Sequence, residues 1–328
     1  MGTETTGIAV WGIGKHAQKT VLPAISQCNS LKLIGLGTRN AEVREQQAAL
    51  YQCQAWDRLE DILDCPAVDV VFLATPIGLH HRDGLKVLHS GRHLWSEKAL
   101  TTSLADAENL FETASANDLS FCVVCAPLHH QQYGKIRTMI DQNAIGKIRS
   151  LMGTFEFPHM STNNIRYRAD LGGSAILDLG FYPIIVLSAL MDDDVTPVSA
   201  KFERLDGYSI DTGGDAVLET GCGAEIRACW GYGRQYRNEI TITGEHGSLH
   251  VSPAFSKPDG QDLSIRLQID EVTNFVSVSS QNQFVSMLDS FHLTIENREQ
   301  RQRQRKWALN TQNLIDKVTV CAANSGIR

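Results

Sequence analysis

The chain has 328 residues, 42% of them apolar and 20% charged, enough for a large core and too many for one small domain, so two domains are expected. A formal net charge of −7 and a pI near 5.9 argue against nucleic acid or an anionic membrane as partner, since both call for a basic surface. No apolar run reaches the roughly 18 residues that span a bilayer. The first apolar stretch, "GIAVWGIG", lacks the basic region and length of a signal peptide, so a cytoplasmic protein is expected.

The elements alternate from the start. "GIAVWGIG" reads as a strand, "KHAQKTVLPAISQC" as a helix, "LKLIGLGTRN" as a strand and "AEVREQQAALYQ" as a helix. "VDVVFLATP" and "RHLWSEKA" are strands separated by the helix "GLHHRDGLKVLHSG", and "SFCVVCAP" follows the helix "LADAENLFETASAND". Strands separated by helices predict βαβ units and a doubly wound parallel sheet over residues 1–127. Past Pro127 a helix through "HHQQYGKIRTMIDQNAIGK" leads into the strand "IRSLMGTFEF" and a helix from "LGGSAILDLGFYPI" to about Met191. Successive alternating strands over 198–280, joined by short glycine turns, predict an antiparallel sheet, with a terminal helix, "NLIDKVTVCAANSG", to cover it. The second domain is thus expected over 128–328.

Several local patterns carry no function on this reading. "MGTETT" matches the loose myristoylation pattern through Gly2, but a strand starting at Gly7 leaves almost no free arm. Cys122 and Cys125 sit at odd spacing on one strand, which sends their side chains to opposite faces, so no redox pair or zinc site is expected. Adjacent histidines such as His80/His81 and His129/His130 diverge in the same way, and no metal is expected. "ENREQRQRQRKW" mixes arginine with glutamine and glutamate and reads as a solvated face.

"GIGKHA" stands between the first strand and the first helix. Gly12 permits the tight turn, Gly14 lets the backbone approach a pyrophosphate, and Ala17 permits close packing, so Gly12, Ile13, Gly14, Lys15 and His16 are the candidate dinucleotide loop. An NAD-binding sheet places an acid at the end of its second strand; here the tip reads "GTRN". Thr38 and Arg39 suit a 2′-phosphate instead, which favours NADP over NAD. The alternative for Arg39 is a solvent-facing residue that happens to follow a strand.

"GIGKHA", "LATPIGLHH", "SEKAL", "NAIGKI" and "LGGSAILDLGFYPI", in that order and spacing, resemble the glucose-fructose oxidoreductase, inositol dehydrogenase and rhizopine-catabolism (Gfo/Idh/MocA) family over essentially the whole chain. The resemblance implies a Rossmann domain followed by an α/β domain with an open antiparallel sheet. It implies hydride transfer between NAD(P) and a secondary alcohol or ketone of a sugar-like substrate, and a homodimer or homotetramer built on the open sheet. The family's E-K-P tripeptide falls on Glu97, Lys98 and Ala99, without the proline. Its late histidine or tyrosine, four residues after an aspartate, falls on Tyr182 after Asp178, which places the chain in the tyrosine branch with sugar dehydrogenases and nucleotide-sugar ketoreductases.

Residues four apart on a helix share a face, so Asp178 and Tyr182 point into one space and Gly180 removes bulk between them. A nearby ammonium lowers the pKa of a phenol. Tyr182 is therefore the expected general acid for ketone reduction, with Lys98 as electrostatic partner and Asp178 orienting the lysine or a substrate hydroxyl. The alternative is a helix-capping acid and a core aromatic. Thr75 and Pro76 are expected beside the nicotinamide; His80 is a cofactor contact or a satisfied structural histidine. His130 is expected on the substrate side, and Arg166 and Arg168 are placed to meet a phosphate or polyol, or are plain surface arginines. The strongest specific candidate substrate is a nucleotide-linked keto-sugar, with a free aldose or diol as alternative and a non-catalytic cofactor sensor as a second.

Overall fold

A computed structural model describes residues 5–324; Gly2 of the acylation pattern lies outside them. The chain divides into two compact units, one of residues up to Cys125 together with Phe284–Gln312, the other of Ala126–Gln283 with the residues from Asn313 on.

The first unit contains six parallel strands, β1 (Thr6–Trp11), β2 (Leu31–Gly37), β3 (Gln54–Trp56), β4 (Val70–Leu73), β5 (His93–Ser96) and β6 (Phe121–Val123), in the order β3-β2-β1-β4-β5-β6. The connecting helices are α1 (Leu22–Gln27), α2 (Ala41–Tyr51), α3 (Leu59–Leu63), α4 (His80–His89) and α5 (Leu104–Ala116). All of β4 is buried, as expected of a strand covered on both faces. The strand order reverses direction between β1 and β4, and ligands of such sheets bind beyond the carboxyl ends at that point.

The second unit opens with α6 (Gln131–Asp141), β7 (Ile148–Phe157) and α7 (Phe181–Met191). Seven more strands follow: β8 (Val195–Glu203), β9 (Gly213–Thr220), β10 (Glu225–Tyr232), β11 (Arg237–Gly244), β12 (Gly247–Val251), β13 (Leu263–Ile269) and β14 (Val272–Val278). The order is β14-β13-β12-β11-β7-β10-β9-β8, with only β7 and β10 paired in parallel. Burial alternates along β9 and β10, the signature of a sheet covered on one face.

The sequence placed everything past Pro127 in one domain. Instead α8 (Gln283–Glu296) and the first part of α9 (Arg298–Asn324) pack with the parallel sheet. Phe291 stacks edge-on against Trp95 at 5.6 Å, and Ala308 and Trp307 join the core of α4 and α5. The "ENREQRQRQRKW" segment is accordingly not only a solvated face: Arg301 is 15% exposed and donates to the Asp118 carboxylate at 2.8 Å. No helix among the described residues is long and apolar enough to cross a membrane.

Candidate active site

In the parallel-sheet unit, Gly12 closes the turn after β1 with φ of 101°, a conformation L side chains rarely adopt. A Cβ there would lie 2.6 Å from the Ala74 carbonyl carbon and 2.7 Å from Thr75 N, so glycine lets the β1 and β4 ends close on each other. A Cβ on Gly14 would meet nothing within 4 Å, leaving its backbone open to a ligand. Ile13 is buried, while Lys15 and His16 are exposed. The helix that follows starts as a wide π-helical turn over Ala17–Val21. Thr75 Oγ1 is buried without a hydrogen-bond partner in the protein. The open backbone at Gly14 and the orphaned hydroxyl at the strand-reversal point fit a dinucleotide.

Thr38 and Arg39 follow β2. The Thr38 carbonyl accepts from Arg44 at 3.0 Å, fixing the tip from α2, a support the sequence reading missed. Arg39 is exposed and, among the described residues, makes no hydrogen bond or ion pair. An unengaged guanidinium is the group a 2′-phosphate requires.

Glu97 is 8% exposed. Its Oε1 lies 3.2 Å from His16 Nε2, close as an ion pair though without hydrogen-bond alignment, and Lys98 N donates to Oε2 at 3.3 Å. Burial would raise its pKa, but the charges of His16 and Lys98 hold it below the usual carboxylate range. The Lys98–Ala99 peptide is cis. Lys98 is half-buried and Pro76 likewise.

His80 lies under this surface rather than on it. The ring is 1% exposed, with Nε2 at 2.8 Å from the Thr75 carbonyl and Nδ1 at 3.1 Å from both Ala99 and Leu100 carbonyls. Burial pushes its pKa down despite these carbonyls. All three carbonyls are acceptors, so the single proton of a neutral ring serves either Thr75 through Nε2 or Ala99 and Leu100 through Nδ1. His80 thus packs between the Thr75 loop and the loop that follows Lys98.

In the antiparallel-sheet unit, the helix expected from 171 begins later and opens as a π-helical turn, Ile176–Gly180, before continuing as α7. Such turns recur at functional sites. Asp211 Oδ2 accepts from Ile176 N at 2.7 Å and caps the turn. A Cβ on Gly180 would come within 2.8 Å of the Trp230 indole, so the small residue serves packing against β10.

Asp178 and Tyr182 occupy the first turns of this helix. Asp178 Oδ2 accepts from Arg166 Nε at 2.6 Å and from the Tyr232 hydroxyl at 2.9 Å. Tyr232 is 3% exposed; burial, then the Asp178 charge, push its pKa well above the ordinary value, so it remains a protonated donor. The Asp178 charge also raises the pKa of Arg166 against burial, with smaller contributions from Tyr232 and Tyr182. Tyr182 is half-buried, its ring packed edge-on against Phe155 at 5.3 Å and Phe181 at 5.6 Å.

Sequence reasoning missed Tyr232, whose only signal was its place at the inward end of β10. It also treated Arg166 and Arg168 alike, and they differ. Arg166 sits on the short turn Ile165–Tyr167, held by Asn164 Oδ1 accepting from its N at 3.1 Å and by the buried Tyr167 ring, 5.3 Å from Tyr232. A Cβ on Gly173 would strike the Arg166 carbonyl at 2.5 Å, so glycine lets the chain pass this turn. Arg168 is exposed and pairs with Asp170 at 3.1 Å through Nε.

His130 is likewise a buried support, 3% exposed, whose Nδ1 accepts from Gln132 N at 3.0 Å as the N-cap of α6. Burial, then the Lys257 charge, lower its pKa to about 4. A histidine depressed in the folded state contributes stability that is present above its unfolded pKa of about 6.5 and is lost as pH falls toward 4. Denaturant unfolding of His130→Asn, which keeps a capping acceptor, is expected to show a flatter pH dependence between those values than the wild type; an unchanged slope would contradict this.

Two family models match the chain: "Oxidoreductase family, NAD-binding Rossmann fold" over residues 6–124 and the GFO/IDH/MocA C-terminal domain over 133–250. The dTDP-3,4-didehydro-2,6-dideoxy-alpha-D-glucose 3-reductase of Streptomyces violaceoruber is 29% identical over 285 residues, 87% of this chain and 83% of that protein. D-xylose 1-dehydrogenase (NADP(+)) of Hypocrea jecorina is 26% identical over 198 residues, 54% of this chain and 50% of that protein. KijD10, a 3-ketoreductase from Actinomadura kijaniata solved with NADP and TDP-benzene, superimposes with a TM-score of 0.94 at 25% identity, over 97% of this chain and 98% of its own. With the glycine loop, the Glu97-Lys98 pair and the Asp178/Tyr182 helix in place, these matches establish that the chain belongs to the Gfo/Idh/MocA family of oxidoreductases.

Proposed function

We propose that the protein is an NADPH-dependent ketoreductase acting on a dTDP-linked keto-sugar. The observation that carries this reading is the Asp178/Tyr182 helix, with Asp178 engaged by Arg166 and Tyr232, in a chain similar along 87% of its length to a dTDP-keto-sugar 3-reductase. NADPH supplies the hydride. Gly12, Ile13 and Gly14 approach the pyrophosphate, with Lys15 and His16 beside them. Thr38 and Arg39 take the 2′-phosphate, and Thr75, Pro76 and Glu97 line the nicotinamide end. Tyr182 donates a proton to the carbonyl oxygen as the hydride reaches its carbon, while Lys98 favours the phenolate left behind and Asp178 orients its neighbours. Solved variants of KijD10 with a lysine replaced by alanine or glutamate, and a tyrosine by phenylalanine, are in keeping with a lysine–tyrosine pair.

The reading includes a cytoplasmic homo-oligomer. Met152, Val198 and Phe275 are exposed on strands of the antiparallel sheet, apolar surface that a second copy would cover.

The test is calorimetric titration of the NADP-loaded protein with dTDP. A nucleotide-sugar reductase binds the nucleotide alone, with Kd below about 1 mM, and the keto-sugar competes with it. No nucleotide binding at that concentration, together with turnover of a free aldose, would favour the xylose-dehydrogenase-like alternative and overturn the proposal.

A further inference from the structure

Arg166, twelve residues before Asp178 and outside the helix that carries it, donates from Nε to the Asp178 carboxylate at 2.6 Å. Two linked supports hold it there. The buried Tyr167 fixes the turn from below, its ring 4.6 Å from Tyr208 and 5.3 Å from Tyr232. Tyr232, from β10, donates to the same carboxylate oxygen that Arg166 reaches. The Arg166 charge also interacts with Tyr182.

A carboxylate four residues from a phenol on one helix opposes ionisation of that phenol, and a guanidinium beside the carboxylate offsets this. We infer that Arg166 is a positioning residue for proton transfer by Tyr182: it holds the Asp178 carboxylate jointly with Tyr232 and cancels its field at the phenol, rather than serving first as a clamp for a substrate diphosphate. The inference deepens the ketoreductase reading and rests on it for the substrate only. Its electrostatic content concerns side chains of one unit and is measurable without substrate.

The arrangement predicts shifts of opposite sign. Removing the cation in Arg166→Met takes away a positive charge beside the carboxylate, so Tyr182 ionises at higher pH. Removing the carboxylate in Asp178→Asn leaves the cation unbalanced, so Tyr182 ionises at lower pH. Arg166→Lys, which keeps the charge, stays near the wild type, and the double variant Arg166→Met/Asp178→Asn falls between the two single variants.

The experiment is a fluorine NMR pH titration of fluorotyrosine-labelled protein, with the Tyr182 resonance identified by its loss in Tyr182→Phe. Displacements of about one pH unit in each direction are expected, the order that a nearby unit charge produces. In turnover, Arg166→Met is expected to lower kcat about 10-fold or more and to move the pH limb upward, with KM for the keto-sugar changed less than about 3-fold. Shifts of the same sign in both single variants, or none, would overturn the inference. So would an increase confined to KM, which would make Arg166 a substrate anchor. If no keto-sugar is turned over, the functional proposal fails while the titration still decides the role of Arg166; should Arg166→Met not fold, Arg166→Gln, which is neutral and polar, against Asp178→Asn gives the same comparison.

Discussion

Tyr182→Phe is expected to fold, to bind NADPH as the wild type does, and to lose turnover by about 10²- to 10⁴-fold, the range of a lost general acid. The substitution removes one oxygen from a half-buried ring and leaves its edge contacts with Phe155 and Phe181 in place, so the packing cost is small. Steady-state kinetics with a keto-sugar substrate, alongside fluorescence titration with NADPH, separates the two effects. Lys98→Met should act on the same step, and the two changes together should cost less than the sum of their separate effects. Near-normal turnover by Tyr182→Phe would remove the tyrosine from the chemistry.

Arg39→Asp is expected to reverse cofactor choice. The guanidinium ends β2 without a partner among the described residues, whereas an aspartate there would repel a 2′-phosphate and accept from a ribose hydroxyl. Losing one charge-assisted phosphate contact costs about 1.5–3 kcal/mol, or roughly 10- to 150-fold in affinity. NADPH should therefore weaken by that factor in fluorescence titration while NADH changes little. Equal wild-type affinity for the two cofactors would contradict the role given to Arg39.

The features legible in the sequence were those set by local periodicity and turn chemistry. Glycines at the end of an apolar strand specify the loop at Gly12, and the spacing of β1 to β6 by helices specifies a parallel sheet. Asp178 and Tyr182 are four apart in sequence, so their shared helix could be read directly. Arg166 is tied to Asp178, and Tyr232 stands 54 residues beyond it, a pairing created by the fold of the sheet and invisible to any sequence window. The same limit explains α8 and the start of α9, whose apolar residues indicated a helix but not that their packing partners are Trp95 and the core of α4 and α5. The burial of His80 and His130, and the backbone atoms they meet, come from the folded surroundings and are encoded by no spacing.

Reduction of a nucleotide-linked keto-sugar by NADPH is measured as loss of NADPH absorbance when the purified protein is mixed with an enzymatically prepared dTDP-keto-deoxysugar, with free glucose, free xylose and NADP+ as the opposing assay. Rapid NADPH consumption with the dTDP-keto-sugar, abolished in Tyr182→Phe, together with little or no NADP+ reduction by the free sugars, is the predicted result. NADP+ reduction by a free sugar with no consumption of NADPH by the nucleotide-linked ketone would contradict it.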